Sequence, residues 1–172
     1  MGKAFLVVGA EATGTRLATR ILINAGCSGS DEHFDQPFDS GVFRGEPLAV
    51  WRRSIPHSHE WPDIPELIRR LNEYGYEVTA LVTMREWLAT SKATRRNHPA
   101  DTPAEALERL MKAYRWIFKA LIETNVPYDF VHYESLILHP EATQRALLHR
   151  LGLDDSNMVE IYDGNKKHYG LL

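Results

Sequence analysis

The sequence predicts an α/β protein: a three-layer parallel sheet of four or five strands flanked by helices. Three observations point there. Short apolar runs alternate with helical stretches along the chain. The first run, Ala4 to Val8, ends in a glycine loop that leads into a helix. The strongest strand, "YEVTALVTM" at 76–84, is rich in β-branched residues. At 172 residues, 44% apolar and 25% charged, the chain can bury a sizeable core and reads as one domain, 1–172.

The elements follow in order. After the Ala4–Val8 strand, "TRLATRILINA" (15–25) is apolar at Leu17, Ile21, Leu22 and Ala25, a helical spacing. Residues 28–47 are rich in Gly, Ser, Asp and Pro and read as an extended surface loop. "LAVWR" (48–52) is a second strand. Asp63 caps a helix through "IPELIRRLNEYG", which Gly75 ends. A helix from about Glu86 to Arg96 follows the 76–84 strand. "TPAE" (102–105) then sets a threonine cap, a first-turn proline and a glutamate at the third position. The long helix it opens carries Leu107, Leu110, Met111, Tyr114, Ile117, Phe118, Leu121 and Ile122, a stripe read as core. "YDFVHY" (128–133) is a strand, and "PEATQRALLHRLG" (140–152) a helix closed by glycine.

A net charge of −3 supplies no global field for nucleic acid or an anionic membrane, so an anionic ligand needs local cations. The single cysteine, Cys27, excludes an internal disulfide, and the first residues carry neither a membrane-length apolar run nor a cleavable signal pattern. A cytoplasmic protein is the expectation, without nucleic-acid or membrane partners.

In parallel sheets ligands bind beyond the carboxyl ends of the strands, which gathers Gly9–Arg16, Arg52–Glu60 and Arg85. "GAEATGTR" (9–16) has the glycine spacing of a P-loop: Gly9 and Gly14 let the backbone turn its N–H groups inward, and the helix adds its positive end. The fold class is therefore P-loop NTPase-like. A nucleotide kinase ends this loop in Gly-Lys-Ser/Thr, lysine on the outer phosphates and hydroxyl on magnesium. Here Thr15 and Arg16 follow Gly14, which disfavours a triphosphate–Mg²⁺ site and suits a donor that needs no metal.

On these residues the chain resembles the sulfotransferases that use 3′-phosphoadenosine 5′-phosphosulfate (PAPS). "TGTR" (13–16) is similar to their first loop. "LVTMREWLATS" is similar to a third strand ending in arginine, with serine in the next helix. "YESLILHPEATQRALLHRLGL" (133–153) is similar to their late pattern of Tyr-Glu, a proline-started helix and Leu-Gly-Leu, and "NKKHYG" (165–170) is a weaker echo. The resemblance implies a PAPS site made by Gly9, Thr13, Gly14, Thr15 and Arg16, with Arg85, Ser91, Lys166 and Lys167 around the 3′-phosphate and no metal. Thr94 rivals Ser91, because the spacing from Arg85 is shorter than the family's.

Two positions depart from the pattern. Ala12 stands where the family has a lysine or arginine that stabilises charge on the leaving phosphate; Arg16, Arg20, Arg52 and Arg53 are the candidates to replace it. "RRSIP" (52–56) puts Ser54 at the family's histidine, leaving His57 or His59, then Glu60, as base for the acceptor's proton. The His-Ser-His spacing lacks a third ligand, so no metal is expected there. Glu11 is out of place beside an anion. Trp51, Trp61, Trp87 and Trp116 read as core residues first, and Trp87, just after Arg85, is the one to check for stacking on a donor base. The implied activity is sulfuryl transfer from PAPS to a hydroxyl or amine of an unidentified acceptor. The alternatives are an atypical kinase using ATP–Mg and an inactive nucleotide-binding domain.

Overall fold

The computed structural model describes residues 2–31, 45–57 and 60–166. β1 (Gly2–Ala10) feeds loop 11–14 and α1 (Thr15–Asn24), and β2 (Ser28–Gly29) precedes β3 (Leu48–Ile55). Then come α2 (Ile64–Glu73), β4 (Tyr76–Met84), α3 (Trp87–Asn97), α4 (Pro103–Thr124), β5 (Tyr128–His132), α5 (Tyr133–Leu138) and α6 (Pro140–Leu151). All five strands run parallel in the order β2-β3-β1-β4-β5, which makes β1 central. The architecture is the expected three-layer α/β sheet.

Alternation along β1 sends successive side chains to opposite faces. Leu6, Val8 and Ala10 pack with Ile64, Ile68 and Leu71 of α2 and Ile117 and Leu121 of α4. Phe5 and Val7 pack on the other face with Ile21 and Leu22 of α1, and Leu147, Leu148 and Leu151 of α6. The helix starts follow the sequence signals. Asp63 accepts the Glu66 N–H at 3.0 Å, and Thr102 and Glu105 form a reciprocal capping box. Among the described residues no helix is long and apolar enough to cross a membrane.

Four sequence expectations change. Within the stretch read as surface loop, Ser28–Gly29 pairs with Ala49–Val50 of β3; residues 32–44 lie outside the described residues. β3 runs on through Arg53 and Ser54 to Ile55, because hydrogen-bonded polar side chains can be buried where their polarity suggested a loop. Tyr133 and Glu134 do not end a strand but open α5. On α4 the buried face is Ala106, Ala113, Ile117, Ala120 and Leu121, whereas Met111 and Ile122 are exposed. Three alanines spaced by seven lie on the inner face, where small side chains let the helix approach the sheet closely.

One anchor had no sequence signal. Gln144 of α6 is 1% exposed; its Nε2 donates to the Val159 carbonyl and its Oε1 accepts the Val159 N–H, both at 2.9 Å. The pair fastens the segment after α6, which leads to Asp163–Lys166.

Candidate functional site

The site lies at the carboxyl ends of β1, β3 and β4. Gly9 is opposite Ser54 of β3 and Thr83 of β4. A Cβ on Gly9 would sit 2.0 Å from Thr83 Oγ1 and 2.5 Å from Thr13 Oγ1, so only glycine fits. Beneath the loop the buried Thr13 hydroxyl donates to the Ala10 carbonyl at 2.7 Å and lies 2.8 Å from Thr83 Oγ1. Tyr114 of α4 supports the same point, its hydroxyl donating to the Thr83 carbonyl at 3.0 Å. Burial pushes that hydroxyl's pKa up, partly offset by hydrogen bonding with Thr13. Tyr114 is thus more than a core residue, and nothing in its helical spacing distinguished it.

Gly14 caps α1 with φ +97°, and a Cβ there would lie 2.9 Å from the Tyr133 ring. No side chain caps α1 and its first turn holds no acid, in contrast to α2, α3 and α4, which Asp63, Glu86 and Thr102 cap. The amides of this turn therefore lack a side-chain cap at the positive end of a helix, a setting suited to an oxyanion.

Arginines flank that turn. Arg52 is buried on the α1 face of the sheet; its Nη1 donates to Thr15 Oγ1 at 3.2 Å and its Nε to the Asp31 carbonyl at 2.5 Å. Thr15 Oγ1 also lies 3.1 Å from Ser54 Oγ. Arg16 is exposed on the first turn. Two of the other candidate cations are engaged elsewhere: Arg20 pairs with Asp31 at 2.5 Å, and Arg53, on the opposite face, pairs with Glu60 at 2.8 Å. Of the four arginines considered as replacements for a lysine at Ala12, the geometry brings Arg52 and Arg16 to the loop.

Arg85 follows β4 and reaches back to the loop. Its Nη1 donates to the Ala12 carbonyl at 2.9 Å, its Nε donates to Asn165 Oδ1 at 2.8 Å, and its guanidinium lies 4.5 Å from the centroid of the Tyr133 ring. Its Nη2 is buried with no hydrogen-bond partner among the described residues. A buried guanidinium N–H without an acceptor is costly, and an anion would satisfy it. Asn165 Nδ2 donates to Glu134 Oε1 at 3.3 Å, and the Gly164 N–H donates to the Tyr133 hydroxyl at 3.0 Å, so segment 163–166 packs over Arg85. Lys166 is exposed next to this contact; Lys167 lies outside the described residues. Ser91 and Thr94 are both buried on α3, and Trp87 is 57% exposed in its first turn.

The base candidates separate. His57 and Glu60 exchange backbone N–H···O bonds at 3.0 and 2.9 Å; His59 lies outside the described residues. Glu11, which the sequence left unexplained, turns away from the cradle toward the end of α3. It accepts from Asn97 Nδ2 at 2.7 Å and meets His98 Nε2 at 2.9 Å. Beside it, Ala10, Ile55, Pro56, Thr94 and Arg109 enclose a void of about 10 Å³. His98 was missed because its partner is 87 residues away in the chain. Among the described residues no group of three His, Cys, Asp or Glu side chains is placed to hold a metal ion.

No family model matches the chain, and no curated protein matches it in sequence. In structure the chain is similar to a sulfotransferase from Alicyclobacillus acidocaldarius, at 13% identity and a TM-score of 0.52 over 99% of this chain and 91% of that one. At that identity the likeness lies in the fold, which is sulfotransferase-like.

Proposed function

We propose that this chain is a sulfotransferase that takes PAPS as donor and transfers the sulfuryl group to a hydroxyl or amine of a small acceptor, without a metal ion. One observation carries the reading: the first turn of α1 has no side-chain cap and no acid, Thr15 and Arg16 stand where a kinase would have lysine and a magnesium-binding hydroxyl, and Arg52 Nη1 reaches the Thr15 hydroxyl from β3. Gly9, Thr13 and Gly14 shape the turn, and the amides of Thr15 and Arg16 face the donor's 5′ end. Arg52 and Arg16 stabilise charge developing on the leaving phosphate. Arg85, through Nη2, holds the 3′-phosphate with Ser91, Lys166 and Lys167, and Trp87 offers a face for the adenine. The buried free thiol of Cys27 fits a reducing, cytoplasmic setting.

The test is titration calorimetry with 3′,5′-adenosine bisphosphate in the presence of a chelator. Binding is expected, with no gain on adding magnesium. Absence of binding, or tighter binding of ATP–Mg, overturns the proposal and favours a kinase. Ala12 favours a second reading, a domain that keeps the nucleotide site and has lost turnover. It predicts bisphosphate binding with no release of bisphosphate from PAPS under any condition.

A further inference from the structure

We infer that the outer face of α4 is the interface of a homodimer, in which α4 packs antiparallel on α4 of a second copy. A groove of about 850 Å³ runs along this face, lined by Met111, Tyr114, Arg115, Phe118 and Ile122 among others. Met111 is 48% exposed and Ile122 79%, so a large apolar side chain stands in solvent at each end. Scattered apolar residues are ordinary on a surface, but these stand in one line. Positions 111, 115, 118 and 122 have the alternating four-and-three spacing by which two helices meet along a seam. Phe118 closes the floor of the groove against Tyr128 and Phe130 of β5, with ring centroids 6.4 and 6.2 Å away, and Tyr128 is itself exposed.

The occupant follows from the order of the four residues. Their spacing reads the same in reverse, so a twofold axis across two antiparallel helices aligns Met111 with Ile122 of the other copy and Arg115 with Phe118. Each apolar end then meets an apolar partner, and each guanidinium meets an aromatic ring. Among the described residues Arg115 has no ion pair or ring contact within its own chain. A parallel pairing would instead set Arg115 against Arg115, a repulsive arrangement. Lys112, Lys119 and Glu123 lie exposed at the rim, carry both signs and contribute little there. An extended peptide fits this side of the molecule less well. The Ala80 N–H donates to the Pro127 carbonyl, a register that turns the Phe130 amide away from β4. Asp129 Oδ1 accepts that amide at 2.7 Å, and Arg150 Nε donates to Asp129 Oδ2 at 2.7 Å. The edge of β5 is thus partly closed to strand addition, which leaves helix packing on α4.

The experiment is sedimentation velocity on wild type and Ile122→Glu from about 1 to 100 μM. Wild type should dimerise in that range. Ile122→Glu, which enters the interface twice, should raise the dissociation constant at least about thirtyfold, as the loss of an interface anchor does. Because Ile122 is 79% exposed in the single chain, the variant should keep the circular dichroism of wild type. Cysteine pairing reads the register. Met111→Cys and Ile122→Cys are made as separate chains, mixed and mildly oxidised, and the product is identified by mass. The expected product joins one variant to the other. Neither should link to itself, because antiparallel contact holds like positions roughly 16 Å apart along the helix, too far for a disulfide. Wild type that stays monomeric at about 100 μM overturns the proposal. Pelleting of that monomer with phosphatidylserine vesicles would assign the face to a membrane surface instead, since its cations flank apolar residues. A dimer that Ile122→Glu leaves intact, or one in which Met111→Cys links to itself, overturns it as well.

Discussion

Arg85→Met removes the guanidinium and keeps most of the side chain's bulk. Lost are the bonds to the Ala12 carbonyl and to Asn165 Oδ1, and the contact over Tyr133. Hydrogen bonds to a charged group contribute about 1.5–3 kcal/mol each, and a partly exposed cation–π contact about 0.5–1 kcal/mol. Because the site is only part-buried, the lower ends apply, giving a gross loss of about 3.5 kcal/mol. Against this, the substitution removes Nη2, a buried donor without a partner, which returns about 1–2 kcal/mol. The net cost is about 2 kcal/mol, or a fall in Tm of roughly 4–8 °C for a chain of this size. Thermal denaturation reads that value, and calorimetry should show bisphosphate binding weakened by about tenfold or more, the equivalent of one lost charged hydrogen bond. Asn165→Ala, which cuts only one arm of the clamp, should lower Tm less and keep the affinity. An Arg85→Met protein with unchanged Tm and unchanged affinity would refute the reasoning, since the guanidinium would then neither fasten the loop nor face the ligand.

Gly14→Ala forces a Cβ into φ +97° and to 2.9 Å from a Tyr133 ring whose hydroxyl is tied to Gly164. Urea unfolding should show a loss of about 2–3 kcal/mol, and an unchanged midpoint would mean that the ring yields freely. Gln144→Leu leaves the Val159 N–H and carbonyl unpaired, a loss of about 1–3 kcal/mol that hydrogen exchange should register as faster exchange at the Val159 amide. Burial raises the pKa of Cys27 from 9.0 to about 12. Iodoacetamide at pH 8 should therefore label the native thiol about 10³-fold more slowly than the unfolded one. The protonated thiol's contribution to stability is intact below pH 9 and is lost as pH rises from 9.0 toward about 12, so Cys27→Ala should flatten the alkaline arm of a stability–pH curve.

What the sequence determined by itself was set by local chemistry. The apolar run before Gly9 and the αL-permissive Gly14 define the strand and the turn into α1 from neighbours in the chain. Helix starts at Asp63 and Thr102 were legible for the same reason, since a cap is satisfied within three residues. Arg52 was legible only as one of four equivalent cations. Its choice needed the parallel register of β3 on β1, which sends Arg52 to the α1 face and Arg53 to the other. Tertiary structure alone joined Glu11 to His98, Arg85 to Asn165 and Gln144 to Val159. Each of these pairs unites polar groups far apart in the chain, whose burial is tolerable only when they meet. No spacing rule encodes such a meeting, because it depends on where every strand and helix between the two residues comes to rest.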